Sequence, residues 1–125
     1  MFEITVEETF SSGHALRGYR GKCENPHGHN YKVRVALAGS RLNDIGLLYD
    51  FKDLKAILRR ETERLDHQYL NDIEPFRELN PSAENLARHI YEVLEKDLAG
   101  NAQGVRVKTV TVFETDITAA VYSGA

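Results

Sequence analysis

Residues 27–38 read HGHNYKVRVALA, and this stretch decides the fold that we expect for the 125-residue chain. Its side chains alternate in character from one position to the next. The odd positions are His27, His29, Tyr31, Val33 and Val35, and the even positions are Gly28, Asn30, Lys32, Arg34 and Ala36. Because successive side chains of a β-strand point to opposite faces, the pattern predicts a strand whose odd positions face the core. The two histidines therefore share the inward face.

One strand is predicted before this stretch, and a hairpin is predicted near the end of the chain. Residues 2–10 alternate mostly apolar with polar side chains, as a strand with one buried face does. Residues 11–26 carry three glycines and a proline, which predicts a long loop. Residues 105–114 are rich in Val and Thr, and residues 119–122 give a shorter match to a strand. The apolar residues change from odd-numbered to even-numbered positions between Val107 and Val110, which indicates a bulge.

Two helices are predicted between these strands. Apolar residues recur at helical spacing over residues 51–65, and Asp50 or Asp53 is placed to cap the first turn. The Asn-Pro-Ser sequence at residues 80–82 is typical of a helix start, and the apolar side of the second helix runs over residues 83–98.

The order of these elements predicts a single α+β domain over residues 1–125. Its four strands would form an antiparallel sheet with the two helices packed on one face. A four-stranded sheet leaves two open edges, and a neighbouring subunit commonly seals such edges. We therefore expect an oligomer.

The composition narrows the classes of partner. The formal net charge of −3 gives no reason to expect nucleic acid or an anionic membrane surface. No apolar run approaches the length that a bilayer requires, so no membrane association is expected. One cysteine cannot form an internal disulfide, and the first residues lack a basic segment followed by an apolar one. These features favour a cytoplasmic protein.

The His-Gly-His sequence is suited to metal binding. Side chains two apart on a strand project from the same face, so His27 and His29 can reach one ion. Extending the alternation of the first strand past residue 10 places His14 on the inward face as well. Three histidines without an obvious fourth ligand are typical of a catalytic zinc site with an open position. The alternative is that they are satisfied polar residues at the end of a strand.

Cys23 lies four residues before His27, in a basic loop that also contains Arg17, Arg20 and Lys22. A nearby metal ion and cationic side chains lower the pKa of a thiol and favour the thiolate, which acts as a base or nucleophile. The alternative is that a single cysteine is simply a small buried hydrophobic residue. Its place beside the histidines favours the reactive interpretation.

Three other acidic or histidine positions are candidates. Asp66 and His67 are adjacent at the end of the first predicted helix, where a carboxylate can orient an imidazole, although a solvated helix end is the simpler reading. Glu114 interrupts an apolar strand, and a carboxylate accepts well from two parallel N–H donors, but it is also typical of an exposed strand end. The helix dipole is the simpler explanation of Glu84, which could also line a site, and His89 is interpreted as structural.

Several motifs occur together and in order along the chain. They are FSSGH at 10–14, CENPHGHNY at 23–31, YDF at 49–51, DLK at 53–55, LDH at 65–67, PSAENL at 81–86 and ET at 114–115. Together they resemble the 6-pyruvoyltetrahydropterin synthase family over nearly the whole chain, and most closely its 6-carboxy-5,6,7,8-tetrahydropterin synthase branch.

The resemblance implies a tunnelling fold, in which the sheets of three subunits join into a barrel and two trimers pair into a homohexamer with active sites between subunits. It also implies a role for each candidate residue. His14, His27 and His29 would bind Zn²⁺, Cys23 would be the proton-abstracting base with Asp66 and His67 as acid–base partners, Glu114 would anchor the pterin ring, and Glu84 would line the same pocket.

The reaction implied is the zinc-dependent conversion of 7,8-dihydroneopterin triphosphate to 6-carboxy-5,6,7,8-tetrahydropterin, acetaldehyde and triphosphate, a lyase step of queuosine biosynthesis. The three residues between Cys23 and His27 are similar to this branch, whereas the biopterin-forming branch has a longer interval. Glu24 leaves an aldolase-like side activity open, because a folate-related branch uses a glutamate near this position. The alternatives are a 6-pyruvoyltetrahydropterin synthase and a non-catalytic module that binds zinc and pterin.

Overall fold

The computed structural model describes residues 1–124, and its elements follow the predicted order. They are β1 (Phe2–His14), β2 (His27–Gly39), α1 (Phe51–Leu65), α2 (Ala83–Leu98), β3 (Arg106–Thr115) and β4 (Thr118–Tyr122). All neighbouring strands pair antiparallel in the order β1-β2-β3-β4. The predicted α+β architecture with a four-stranded antiparallel sheet and two helices is confirmed.

One boundary differs from the prediction in a way that matters for the site. The loop expected over residues 11–26 begins only after His14, because residues 11–14 continue the ladder of β1 against β2. Gly13 does not interrupt this ladder, and it lies opposite Gly28. The predicted bulge is confirmed, since Ala36 pairs with Thr109 and Leu37 with Val107, which leaves Lys108 as the extra residue.

The core lies between one face of the sheet and the apolar sides of the two helices. Residues of all these elements join in a single buried cluster; among its fully buried members are Tyr31, Val33, Val35, Leu54, Leu58, Leu86, Ile90, Val110 and Val112. Asp50 caps α1 by accepting a hydrogen bond from the Lys52 backbone N–H at 2.8 Å. Ser82 caps α2 by accepting from the Asn85 backbone N–H at 3.1 Å. Among residues 1–124, no helix combines the length and apolar composition that crossing a bilayer requires.

A buried charged network joins α1 to α2. The carboxylate of Glu61 accepts from Arg64 Nε at 2.6 Å and lies 2.9 Å from His89 Nε2. Burial alone would raise the pKa of Glu61, but the hydrogen bonds from His89 and Arg64 outweigh burial, so this pKa is lowered. The structural role predicted for His89 agrees with this contact.

The Glu61 network predicts a stability that depends on pH. Because the pKa of Glu61 is lowered on folding, its stabilisation is fully present above the ordinary value of 4.5 and is lost as the pH falls through the lowered value. At neutral pH, Glu61→Gln should reduce the free energy of unfolding by about 1–3 kcal/mol. In urea titrations the gap between wild type and variant should shrink below pH 4.5. Glu63→Gln, at an exposed position of the same helix, is the control, and a gap that stays constant down to pH 3 would contradict the assignment.

Candidate metal centre and active site

The pairing of β1 with β2 brings three histidines to one end of the sheet. In this register His14 lies opposite His27, and Ser12 lies opposite His29. The three imidazoles are mutually edge-on, with ring centroids 4.6 to 5.1 Å apart. The convergence predicted from the alternation of the two strands is therefore confirmed.

A fourth side chain joins the three imidazoles. His14 Nε2 lies 3.0 Å from His27 Nε2, and Glu114 Oε1 lies 2.8 Å from His29 Nε2 and 3.3 Å from His14 Nε2. One donor atom from each of the four residues lies within 4.8 Å of all the others. Bond lengths of about 2.0–2.1 Å place the ligand atoms of a tetrahedral zinc about 3.3 Å apart. The measured separations are close to that spacing.

Hydrogen bonds to backbone carbonyls fix which nitrogen of two histidines faces the centre. His14 Nδ1 lies 2.7 Å from the Pro81 carbonyl oxygen, and His27 Nδ1 lies 2.8 Å from that of Asn25. A carbonyl oxygen only accepts, so each Nδ1 carries the proton and donates. In the neutral imidazoles both Nε2 lone pairs then face each other at 3.0 Å, an arrangement that a cation between them stabilises. The residues present therefore fit a metal ion.

Burial supports the same assignment. His14 is fully buried. Burial lowers the pKa of His29, and His14 and His27 act in the same direction, whereas the negative charge of Glu114 opposes them. The net lowering favours the neutral imidazole, which is the form that binds a metal.

Glu114 adds a fourth candidate ligand to the three histidines, where the sequence offered no obvious one. Its carboxylate lies at the histidine cluster because Val110, Val112 and Glu114 share one parity on β3, and the two valines are fully buried. The sequence contained this signal, since beyond Val107 the apolar residues of β3 occupy even-numbered positions, and Glu114 is at an even-numbered position too. The interpretation of Glu114 as an exposed strand end is wrong in this respect.

Tyr31 lies beside the histidine cluster. Its ring stacks on Phe10 with centroids 4.8 Å apart and lies 5.5 Å from the His29 ring. Within the described chain its buried hydroxyl has no hydrogen-bond partner. Burial and the nearby charge of Glu114 raise the pKa of this hydroxyl.

Cys23 lies outside this group of four candidate ligands. It occupies a short 3-10 turn, Lys22–Glu24, where it is half-buried. Its carbonyl accepts from the Leu16 backbone N–H at 2.8 Å, which ties the two ends of the loop together. The thiol is thus carried by the loop that enters β2 just before His27.

Two asparagines clamp this loop to the segment before α2. Asn71 exchanges two hydrogen bonds of 2.9 Å with the backbone of Ala15, and Asn80 exchanges two of 2.9 Å with the backbone of Arg17. The Arg17 guanidinium donates to the Phe76 carbonyl at 2.7 Å. Arg17 is therefore a structural anchor of the loop, which sequence reasoning missed because its partners lie more than 50 residues away.

Asp66 and His67 form a pair at the end of α1. His67 Nδ1 lies 2.7 Å from Asp66 Oδ2, and Asp66 Oδ1 accepts from the Ser11 backbone N–H at 2.8 Å. The bond from Ser11, followed by that from His67, holds the pKa of Asp66 below its ordinary value. The carboxylate therefore orients the imidazole, which the sequence left open beside the simpler reading of a solvated helix end.

His67 has two further features that suit proton transfer. Its side chain is 82% exposed, so its Nε2 is open to a reacting group. Its φ of 54° lies in the left-handed region, which costs a non-glycine residue roughly 1–2 kcal/mol. Such strain suggests a functional position. Asp66, His67 and Glu84 are not members of the histidine cluster, and Glu84 is exposed in the first turn of α2.

The family model described as 6-pyruvoyl tetrahydropterin synthase matches residues 3–125. The chain belongs to this family. The putative 6-carboxy-5,6,7,8-tetrahydropterin synthase of Archaeoglobus fulgidus is 36% identical over 105 residues, covering 83% of this chain and 84% of the relative. The human 6-pyruvoyl tetrahydrobiopterin synthase is 39% identical over 108 residues, covering 83% and 72%. Relatives of both names are thus similar to this member of the family.

The fold is that of solved members of the family. The 6-pyruvoyl tetrahydropterin synthase of Caenorhabditis elegans superposes with a TM-score of 0.84 at 29% identity, over 100% of this chain and 98% of the other. The subunit architecture expected of the tunnelling fold is thereby confirmed. The barrel of joined sheets and the hexamer stay predictions.

The asparagine clamp can be tested through the loop that it holds. Asn80→Ala removes both hydrogen bonds to the Arg17 backbone, each contributing about 0.5–1.5 kcal/mol. Trypsin should then cut after Arg17, Arg20 or Lys22 roughly tenfold faster under native conditions, since about 1.4 kcal/mol of local opening corresponds to a factor of ten.

A matched control for this experiment lies in the turn after α2. Asn101 also holds a turn, through hydrogen bonds to Leu98 and Val105. Asn101→Ala should lower the melting temperature without accelerating cleavage in the loop. Equal cleavage rates in the two variants would show that Asn80 does not hold the loop.

Proposed function

We propose that this chain is a zinc-dependent lyase that converts 7,8-dihydroneopterin triphosphate and water to 6-carboxy-5,6,7,8-tetrahydropterin, acetaldehyde and triphosphate. The observation that carries the proposal is the convergence of His14, His27 and His29 on one point in a member of the 6-pyruvoyl tetrahydropterin synthase family. Three converging imidazoles, two of them with fixed tautomers, suit zinc. When bound, zinc supplies a Lewis acid that makes coordinated hydroxyl groups more acidic.

The protein side chains supply the remaining chemistry in this proposal. Cys23 removes a proton from the substrate side chain. His67, oriented by the ionised Asp66, accepts or returns a proton through Nε2. Glu114 holds the pterin ring through its N3–H and 2-amino group, because a carboxylate accepts two parallel hydrogen bonds. Glu84 lines the same pocket as a weaker candidate.

Cys23, the Asp66–His67 pair and the histidine cluster belong to separate local groups in the single chain. We propose that a homohexamer built as a dimer of trimers completes each active site between subunits. The two outer strands of the sheet support this assembly, because β4 and residues 2–10 of β1 have open edges in the described chain.

The triphosphate of the substrate requires cations. We assign this role to Arg20 and Lys22, which are exposed on the loop before β2. Arg17 is unsuited to it, because its guanidinium and its backbone are engaged with residues 71–80. Of the three cations in this basic loop, only Arg20 and Lys22 are therefore free to contact the triphosphate.

The four-residue step from Cys23 to His27 favours the carboxy-forming branch. The 39% identity to the human 6-pyruvoyl tetrahydrobiopterin synthase favours a second candidate, a 6-pyruvoyltetrahydropterin synthase that eliminates triphosphate without releasing acetaldehyde. The products distinguish the two.

Product analysis tests the proposed reaction. Purified zinc-loaded protein incubated with 7,8-dihydroneopterin triphosphate should release acetaldehyde and 6-carboxy-5,6,7,8-tetrahydropterin in equal amounts. His29→Ala, which removes a metal ligand, should release neither product. A 6-pyruvoyl product without acetaldehyde would reject the carboxy-forming branch, and no turnover of any dihydropterin would support a non-catalytic module.

Cys23 is tested separately from the metal. Cys23→Ala should reduce kcat by about 10²–10⁴, the usual contribution of a positioned base, with zinc content and melting temperature unchanged. The matched control is Ser40→Ala, at an exposed position beyond β2, which should keep full activity. Unchanged turnover in Cys23→Ala would remove Cys23 as the base.

A further inference from the structure

We propose that Glu114 is an exchangeable fourth ligand of the metal ion, bound to it in the free enzyme and released when the pterin ring takes the same carboxylate. The inference rests on the proposed function, because it requires a metal at the three histidines and a pterin substrate. It adds a gating step, since ring binding would open the position that the substrate side chain then uses.

The placement of Glu114 carries the first part of the inference. Its Oε1 lies 2.8 Å from His29 Nε2 and 3.3 Å from His14 Nε2, close to the spacing of about 3.3 Å between ligands of a tetrahedral ion. The contact with His29 is short, but it lacks the geometry of a hydrogen bond, and the buried Nε2 has no hydrogen-bond partner within residues 1–124. The two atoms are thus aimed at a shared point rather than at each other.

The fixed tautomers strengthen this interpretation. His14 and His27 each use Nδ1 on a backbone carbonyl, so their Nε2 lone pairs face the carboxylate side of the cluster. A carboxylate beside lone pairs is electrostatically unfavourable unless a cation lies between them. Glu114 therefore completes a coordination sphere of three nitrogens and one oxygen.

The surroundings of the ligands differ in a way that makes the carboxylate the movable one. His14 is fully buried and tied to Pro81, whereas the Glu114 side chain is 27% exposed. The ladder between β3 and β4 shifts register between Phe113 and Thr115, so Glu114 is the bulged residue. Bulges re-aim side chains and are common beside active sites.

The two roles of the carboxylate exclude each other. When Glu114 binds a pterin, its two carboxylate oxygens accept hydrogen bonds from the N3–H and 2-amino groups. This contact draws Oε1 away from the metal. A closed four-ligand sphere is typical of structural zinc, and an open one is typical of catalytic zinc. On this proposal the site changes from a closed four-ligand site to an open catalytic one when the pterin ring binds.

The test uses the cobalt-substituted protein, because Co²⁺ reports its ligands by visible absorption. Thiocyanate probes an open coordination position, and 7,8-dihydropterin, which lacks the side chain and the triphosphate, is the ring probe. In wild type we expect thiocyanate to bind at least about tenfold more tightly after 7,8-dihydropterin is added, as loss of a metal-site interaction usually costs 10- to 100-fold. Glu114→Ala should bind thiocyanate tightly without the ring probe and should hold Co²⁺ at least about tenfold more weakly.

Control variants and outcomes separate this inference from the proposed function. Glu78→Gln, at an exposed carboxylate outside the cluster, should behave as wild type. If Co²⁺ binds with equal affinity to wild type and Glu114→Ala, and thiocyanate binding is the same in both, the exchange is overturned while the histidine site stands. If the ring probe leaves thiocyanate binding of wild type unchanged, Glu114 is a permanent ligand and the exchange is also overturned. If wild type binds no Co²⁺ at all, the proposed zinc enzyme itself fails.

Discussion

The register between β1 and β2 is the constraint on which the candidate site depends. It sets His14 opposite His27 and Ser12 opposite His29, so imidazoles from two strands face one point. Because the side-chain period of a strand is two, a slip of one residue would turn every side chain of the slipped strand to the opposite face. The same register stacks Phe10 on Tyr31 in the core. The apolar packing that stabilises the strand pair therefore also fixes the candidate metal ligands.

How well the sequence alone predicts the candidate site differs from residue to residue. The shared face of the histidines was predictable, because alternation is a local property of each strand. Glu114 had the same local signal as Val110 and Val112, but its approach to His29 depends on the β2–β3 register. That register includes the bulge at Lys108, whose place the apolar pattern indicates only to within a few residues. The parity of Glu114 on β3 could therefore be predicted, but its contact with the histidines could not.

Contacts between distant segments could not be predicted from the local alternation of side chains. Asn71 and Asn80 reach the backbone of Ala15 and Arg17 across more than 50 residues of chain, and no periodicity of the sequence encodes that meeting. Arg17 shows the consequence, since the sequence indicated only a cation in a basic loop, whereas its guanidinium holds backbone carbonyls. The adjacency of Asp66 and His67 predicted their pairing, whereas the left-handed turn at His67 emerges only from the docking of residues 66–69 on β1.

Pro81 would couple metal binding to the placement of the cysteine loop. Its carbonyl holds His14 Nδ1, and its neighbour Asn80 holds the backbone of Arg17 in the loop that leads to Cys23. A metal ion on His14 Nε2 would make Nδ1–H a better donor, which would strengthen the bond to Pro81 and stabilise the segment that clamps the loop. By linkage, a well-clamped loop would raise metal affinity by the same free energy. His14, the Pro81 carbonyl and the asparagine clamp would thus share one equilibrium, in which the loop is ordered most firmly when a metal ion is bound.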